Sequence, residues 1–183
     1  MELVKTISNN KIIKILLISI IGSILLTISA KIKIPFYPVP MTMQTFVVLL
    51  LGISFGYKIG VIAIFLYLLE GIVGFPVFSN SPEKGIGITY FIGPTMGYLI
   101  GFVFACFIAG YFKYNSNYVI NFLKILVSTS VIYFFGVVWL GTLIGWDKPI
   151  LQLGVYPFLL AELFKILMLT VLVKKIVKFR KFI

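Results

Sequence analysis

The sequence predicts an all-α membrane protein, a bundle of six transmembrane helices that forms one integral membrane domain over residues 1–183. Of these residues 61% are hydrophobic and only 11% are charged, and the mean hydropathy is +1.13. A soluble domain of this size carries about 25% charged residues. Several apolar runs also approach the roughly 20 residues that a helix needs to cross a bilayer. The composition therefore excludes most soluble classes of protein.

Hydropathy, together with glycine and proline punctuation, predicts where each helix lies. The six predicted helices cover residues 12–30, 41–57, 59–78, 88–112, 120–143 and 157–173. The first follows several lysines, as in a signal peptide, but its apolar run from 15 to 30 exceeds the usual length of about 7–15 residues. Because more such runs follow, we interpret it as a true first span.

The connections between the predicted helices differ in composition. A proline-rich stretch at 34–40 precedes the second helix, and its prolines favour extended backbone. A tight link near Lys58 joins the second helix to the third. The later connections are a polar loop at 79–87, a short loop at 115–117 and a longer connector at 145–154.

The basic residues predict the orientation in the membrane. Sixteen Lys and Arg residues stand against five Asp and Glu, a net charge of +11. Eleven of the sixteen fall at the termini or in loops on the same side: Lys5, Lys11, Lys14, Lys58, Lys113, Lys124, Lys174, Lys175, Lys178, Arg180 and Lys181. The opposite side has Lys31, Lys33, Lys84 and Lys148. By the positive-inside rule both termini are cytoplasmic, and the three longer loops face outward.

The same distribution bears on partners. The cations stand singly between apolar segments or at the two ends, not in a stripe on a polar face, so the expected partner is the lipid bilayer and not a nucleic acid. The cluster at the C-terminal end also suits a lipid-binding or partner-docking patch, which stays open as a second interpretation.

The sequence lacks the residues that several kinds of functional site require. It contains no His and a single Cys, Cys106, so disulfide frameworks, zinc sites and haem attachment have no ligands. We therefore predict no metal and no cofactor. An intramembrane enzyme is disfavoured because acid/base roles are nearly unfilled. No segment fits the P-loop pattern, so ATP hydrolysis by this chain is not predicted.

Small residues recur at intervals of four, a spacing that lets helices approach closely. The three sets are Gly52, Gly56 and Gly60; Gly93, Gly97 and Gly101; and Ser19, Ser23 and Thr27. Packing within the bundle accounts for all three. For the first helix, which comes from the chain terminus, a docking face for a partner subunit in the membrane is the alternative.

Polar residues inside the predicted helices are the candidate ligand-binding groups. An ionisable residue at a helix centre costs about 2.5–3.5 kcal/mol on insertion scales. Glu162 and Lys165 stand at i and i+3 in the sixth helix and share a face, either as a self-contained salt bridge or as a ligand-binding pair. Glu70 is a second intramembrane acid, with Lys31, Lys33 or Lys165 as possible partners.

Three further residues complete the candidate site. Gln44 can donate and accept hydrogen bonds at once, and Asn80 follows the third helix on the side that Glu162 faces. Tyr98 belongs to a set of aromatic residues in the outer half, which form an interfacial belt or the walls of an apolar pocket.

Four segments, in order along nearly the whole chain, resemble a known family. They are Pro-Val-Pro-Met-Thr-Met-Gln-Thr at 38–45, Gly-Phe-Pro-Val-Phe at 74–78, Gly-Pro-Thr-Met-Gly-Tyr-Leu-Ile-Gly-Phe at 93–102, and Pro-Phe-Leu-Leu-Ala-Glu-Leu-Phe-Lys at 157–165. The sequence is similar to the BioY family, the biotin-specific substrate-binding (S) components of energy-coupling factor (ECF) transporters.

The resemblance implies a multi-pass protein of the cell membrane that captures biotin and works with a membrane coupling (T) subunit and two ATPase subunits. The acid and lysine of the family's last-helix motif fall on Glu162 and Lys165, and its polar residue after Pro-Val-Phe falls on or near Asn80. Ser19 and Ser23 stand where the family tends to have alanines that dock the coupling subunit.

Two departures from the family pattern concern the site. The family usually has Asp where this chain has Glu162, and Gly where it has Met96. In biotin, the ureido N–H groups could donate to Glu162, while Lys165 donates to the ureido carbonyl or reaches the carboxylate. The direction of the ligand stays open. So do two other functions: an S component for another vitamin, and a proton-coupled secondary transporter that uses Glu70 or Glu162.

Overall fold

A computed structural model describes residues 10–182. Its α-helices are α1 (Lys11–Lys31), α2 (Gln44–Val73), α3 (Met96–Tyr111), α4 (Tyr118–Ile144), α5 (Ile150–Gly154) and α6 (Leu159–Ile176). Three 3-10 helices cover Gly87–Ile92, Tyr156–Phe158 and Val177–Phe182. Two short strands, β1 (Lys33–Ile34) and β2 (Met41–Thr42), pair antiparallel with Lys33 opposite Thr42. The predicted basic residue Lys5 lies outside the described residues.

Within residues 10–182, four helical segments are long and apolar enough to cross a membrane by length and composition: Lys11–Lys31, Gln44–Val73, Tyr118–Ile144 and Ile150–Lys181. Helix α3 is a shorter apolar helix. The six predicted helices correspond to α1, the two halves of α2, α3, α4 and α6. The helical class and the number of predicted helices therefore agree with this structure.

Helix α2 is broken at Gly56, whose φ of 77° and ψ of 171° are not helical. Residues eight apart in a straight helix are separated by about 12 Å. A Cβ atom on Gly60 would nevertheless lie 3.2 Å from the Cα atom of Gly52. The chain therefore folds back at Gly56, and α2 consists of a first arm (44–55) and a second arm (57–73). This turn is the predicted tight link.

The glycines of α3 bring it against α4. A Cβ atom on Gly97 would lie 2.3 Å from the carbonyl oxygen of Phe135, and one on Gly101 would lie 2.7 Å from the Cα atom of Ile132. Real Cβ atoms do not come that close to other backbone atoms, so only glycine permits this helix separation. The predicted packing role of these glycines is confirmed.

Several helix boundaries differ from the prediction because of backbone chemistry. Residues 41–42 form β2 after the proline-rich stretch, so the helix begins at Gln44. Gly74 ends α2 in a left-handed conformation with φ of 108°, four residues before the predicted end. Pro94 cannot continue a helix, since it has no N–H donor and its ring clashes with the preceding turn. The predicted helix 88–112 is therefore a 3-10 segment followed by α3.

The small residues of α1 face inward, which corrects the interpretation of Ser19 and Ser23 as an exposed docking face. Their exposed fractions are 2% and 0%. Gly22, on the same face, is so close to the second arm of α2 that an added Cβ would lie 2.8 Å from Cβ of Ala63. In this structure α1 exposes large apolar side chains instead, among them Ile20, Ile21, Ile24 and Ile28.

Candidate functional site

An internal cavity lies between the start of α2, the loop after α2, and helices α3, α4 and α6. It holds about 520 Å³ of empty space, counted with the part that is open to solvent. Of the predicted site residues, Gln44, Tyr98 and Glu162 line this cavity. Lys165 and Asn80 lie outside the lining of the described cavity and contact residues that belong to it, Glu162 and Tyr90 respectively.

Glu162 and Lys165 form a buried ion pair near the start of α6. Their exposed fractions are 5% and 4%, and Lys165 Nζ lies 2.7 Å from Glu162 Oε1. Lys165 also donates to the carbonyl oxygen of Thr42 at 2.6 Å and to Thr45 Oγ1 at 3.0 Å. An ammonium group has three N–H donors. All three therefore have acceptors within the protein.

The carboxylate of Glu162 is satisfied on one side only. Its Oε1 atom accepts from Lys165 and, at 2.8 Å, from Thr45 Oγ1. Its Oε2 atom is buried and accepts no hydrogen bond of normal length and angle from the described residues, although the Tyr133 hydroxyl is near enough to donate a weak one to this carboxylate. A buried acceptor without a donor is costly. Because Glu162 lines the cavity, Oε2 is suited to a ligand that brings an N–H or O–H donor.

Gln44 and Tyr98 shape the cavity with side chains that are already hydrogen-bonded. Gln44 Nε2 donates to the hydroxyl of Tyr67 at 2.7 Å, and the side-chain oxygen Oε1 of Gln44 accepts from Thr42 Oγ1 at 3.3 Å. The hydroxyl of Tyr98 donates to the carbonyl oxygen of Gly154 at 2.8 Å. Both side chains are thereby held in place, and the Tyr98 ring forms part of the wall.

Asn80 is buried in the loop after α2 and turns its amide oxygen towards Lys33, whose Nζ atom is 3.3 Å away. The neighbouring Ser79 lines the cavity, and its Oγ atom lies 3.2 Å from the hydroxyl of Tyr90. The structure thus places Asn80 next to the cavity, with Ser79 and Tyr90 at the wall.

Lys31 at the end of α1 and Lys33 on β1 bind this same loop. Lys31 Nζ donates to the carbonyl oxygens of Phe78 and Ser81 at 2.7 and 2.8 Å. Lys33 Nζ donates to the carbonyl oxygen of Ser79 at 2.7 Å. Glu70 forms no ion pair with either lysine. Its carboxylate instead accepts a hydrogen bond from Ser23 Oγ across the contact between α1 and α2. The possible pairing of Glu70 with a lysine is therefore wrong for this structure.

The predicted set of site residues left out several residues that line the cavity, among them Thr45, Ser79, Tyr90 and Tyr133. Thr45 directly follows Gln44, and Ser79 directly precedes Asn80, so each is adjacent in sequence to a predicted site residue. Tyr90 belongs to the set of outer-half aromatic residues for which the sequence predicts an interfacial belt or the walls of an apolar pocket. Tyr133, on α4, carries no local signal. Within residues 10–182, no three His, Cys, Asp or Glu side chains are grouped as a metal site.

Comparison with known proteins gives consistent results. The BioY family model matches residues 4–182. A protein of Pyrococcus horikoshii named probable biotin transporter BioY is 37% identical over 141 residues, which cover 77% of this chain and 82% of that protein. The biotin transporter BioY of Thermotoga maritima is 33% identical over 155 residues, covering 84% and 90%.

A solved structure is similar to the whole fold. The crystal structure of an S-component for biotin from an ECF-type ABC transporter superposes with a TM-score of 0.78 at 25% sequence identity. The similarity covers 93% of this chain and 94% of that one. The resemblance seen in the four sequence segments is thereby confirmed, and the chain belongs to the BioY family.

Proposed function

We propose that this protein is the substrate-binding component for biotin of an ECF-type ABC transporter. It resides in the cell membrane with both termini on the cytoplasmic side, captures biotin from outside, and works with a membrane coupling subunit and two ATPase subunits. Family membership supports the transporter class. The observation that carries the ligand assignment is the buried Oε2 atom of Glu162 at the cavity wall.

The chemistry of the cavity matches biotin at this point. The ureido group has two N–H donors, and a buried carboxylate oxygen that accepts no well-formed hydrogen bond from the protein accepts from such a donor with a strong, charge-assisted bond. Lys165 has its three donors occupied, so it holds the charge and orientation of Glu162 and does not compete for the ligand. Biotin therefore enters with its ureido ring towards Glu162.

The remaining walls suit the apolar body of biotin. Tyr67, Phe78 and Tyr90 form one wall, with Phe78 and Tyr90 stacked at 4.5 Å between ring centroids. Tyr98, Tyr133 and Phe158 form another, in which Tyr98 and Tyr133 meet edge to face at 5.9 Å. Rings in these positions present apolar faces to the fused ring system of biotin. That ring system contains a thioether sulfur, which makes favourable contacts with aromatic rings.

The ligand is identified by mass spectrometry of the small molecules released from purified, unwashed protein. Biotin is the expected species, and isothermal titration calorimetry of washed protein should then give tight binding. Release of riboflavin or thiamine would overturn the ligand assignment and leave the S-component architecture in place. Uptake by membranes that contain the ATPase subunits should depend on ATP. Uptake driven by a proton gradient without those subunits would contradict the proposed energy source.

A further inference from the structure

The charges around the cavity are unequally distributed between two groups of residues. Glu162 and Lys165 cancel each other. At the loop after α2, Lys31, Lys33 and Lys84 against Glu83 carry two net positive charges. A ligand with hydrogen-bond donors at one end and a carboxylate at the other is complementary to this arrangement, with the donors at Glu162 and the anion at the loop.

We propose that Lys33 recognises the carboxylate of the ligand and thereby makes the site selective for the acid over neutral derivatives. This inference rests on the proposed function, since it assigns the second end of biotin. Lys33 donates to the carbonyl oxygen of Ser79, a residue of the cavity wall, so its ammonium group adjoins the cavity.

The strand pairing directs Lys33 towards the site. Lys33 on β1 lies opposite Thr42 on β2. Residues directly opposite in an antiparallel pair project their side chains from the same face. Thr42 lines the cavity, and its carbonyl oxygen accepts from Lys165. One short ladder therefore holds the two lysines in a fixed relation, Lys165 behind Glu162 and Lys33 at the loop.

Lys33 can exchange a partner, whereas Lys31 cannot do so without loosening the loop. Both acceptors of Lys31 are backbone carbonyls of the loop. Lys33 instead uses one donor on Glu83, at 3.2 Å, and this carboxylate is 71% exposed while the lysine side chain is 26% exposed. Such exposed pairs contribute little to stability. A ligand carboxylate has the same chemistry as that of Glu83 and can replace it, while Asn80 Oδ1 orients the ammonium group.

The test compares biotin with biotinamide, in which a neutral carboxamide replaces the carboxylate. Calorimetry is carried out on the wild type, Lys33→Met and a control variant, Lys148→Met, whose lysine pairs with Asp147 at an exposed site. The wild type and the control should bind biotin at least tenfold more tightly than the amide. Lys33→Met should bind biotin about tenfold more weakly than the wild type does, with the affinity for the amide changed by less than about twofold.

The ratio of the two affinities separates recognition from a structural role. If Lys33 only held the loop, the variant would lose affinity for both compounds alike and keep the ratio, which would refute the assignment while the proposed function stood. If the wild type bound neither compound, the proposed function and this inference would fall together.

Glu83→Gln provides a second, milder test, because it removes the competing carboxylate. Binding of biotin should then strengthen about threefold, with the affinity for the amide unchanged. Weaker binding of biotin in Glu83→Gln would contradict the exchange of partners at Lys33.

Discussion

Lys165 and Arg180 are basic side chains that both tie distant parts of the chain together, yet their partners differ. Lys165 pairs with the carboxylate of Glu162, with the carbonyl oxygen of Thr42 on β2 and with Thr45 Oγ1 at the start of α2. The guanidinium of Arg180 instead donates to four backbone carbonyls, with Nε 2.8 Å from the carbonyl oxygen of Ile53. The other three acceptors are the carbonyls of Gly52, Ala109 and Phe112.

The acceptors of Arg180 lie where helices end. The first arm of α2 stops before Gly56 and α3 stops at Tyr111, and the last carbonyls of a helix have no partner within it. A guanidinium has five N–H donors in a planar fork, so one arginine serves both ends. Arg180 therefore acts as a structural clasp. Lys165, paired with a carboxylate, leaves one oxygen of Glu162 for a ligand, and this difference in partner distinguishes the proposed binding site from a structural contact.

The largest effect is expected at the buried pair. Lys165→Ala or Glu162→Ala should weaken biotin binding at least tenfold, because each leaves one buried charge unpaired. Breaking a buried ion pair in this way destabilises a folded protein by about 3–5 kcal/mol. Calorimetry measures the affinity, and thermal unfolding in detergent shows how much of the protein is folded. Lys148→Ala is the control. Unchanged affinity in both variants would refute the assignment of the site.

Arg180→Met tests the other side of the comparison. Hydrogen bonds to charged groups contribute about 1.5–3 kcal/mol each to stability when well formed. Since Arg180 is only partly buried, we expect the free energy of unfolding to fall by about 2 kcal/mol in total. The melting temperature should fall while biotin affinity in folded protein stays within about twofold. Lys181→Met, at the exposed neighbouring residue, should leave both unchanged. A large loss of biotin affinity without a loss of stability would contradict a purely structural role for Arg180.

Two tyrosines allow a matched comparison of the two regions. Tyr98 donates to the carbonyl oxygen of Gly154 beside the cavity, and Tyr114 donates to that of Ala109 beside Arg180. Replacement of either by Phe removes one such bond and should lower the free energy of unfolding by about 1 kcal/mol. Tyr98→Phe should also alter biotin affinity, by about threefold, whereas Tyr114→Phe should not. Equal effects on binding would show that the two regions are not separate.

An equally small effect is expected from the length of the acid. Glu162→Asp shortens the side chain by one methylene and draws the carboxylate away from Lys165 and Thr45. We expect biotin binding to weaken about threefold, with the net charge of the pair retained. Glu162→Gln, which keeps the length and removes the charge, should weaken binding more. The reverse order would indicate that length, and not charge, dominates recognition.

Much of the fold could be predicted because its signals are local. Apolar runs and glycine or proline breaks located every helix boundary to within five residues except the start of α3, which lies eight residues after the predicted one. The i, i+3 spacing placed Glu162 and Lys165 on one face. The contacts that complete the site are not local. Thr45 meets Glu162 across 117 residues of sequence, and Lys165 reaches Thr42 across 123. No periodicity within one helix encodes such pairs.

The sequence by itself determined the membrane class, the approximate helices, the close-packing glycines and the paired acid and lysine, because each depends on residues within a few turns of one another. Only the tertiary structure decided that Ser19 and Ser23 face inward, that Arg180 binds helix ends and that Lys33 reaches Ser79. A helix that is apolar on all sides carries little information about which face is buried. That choice is made by the neighbouring helices.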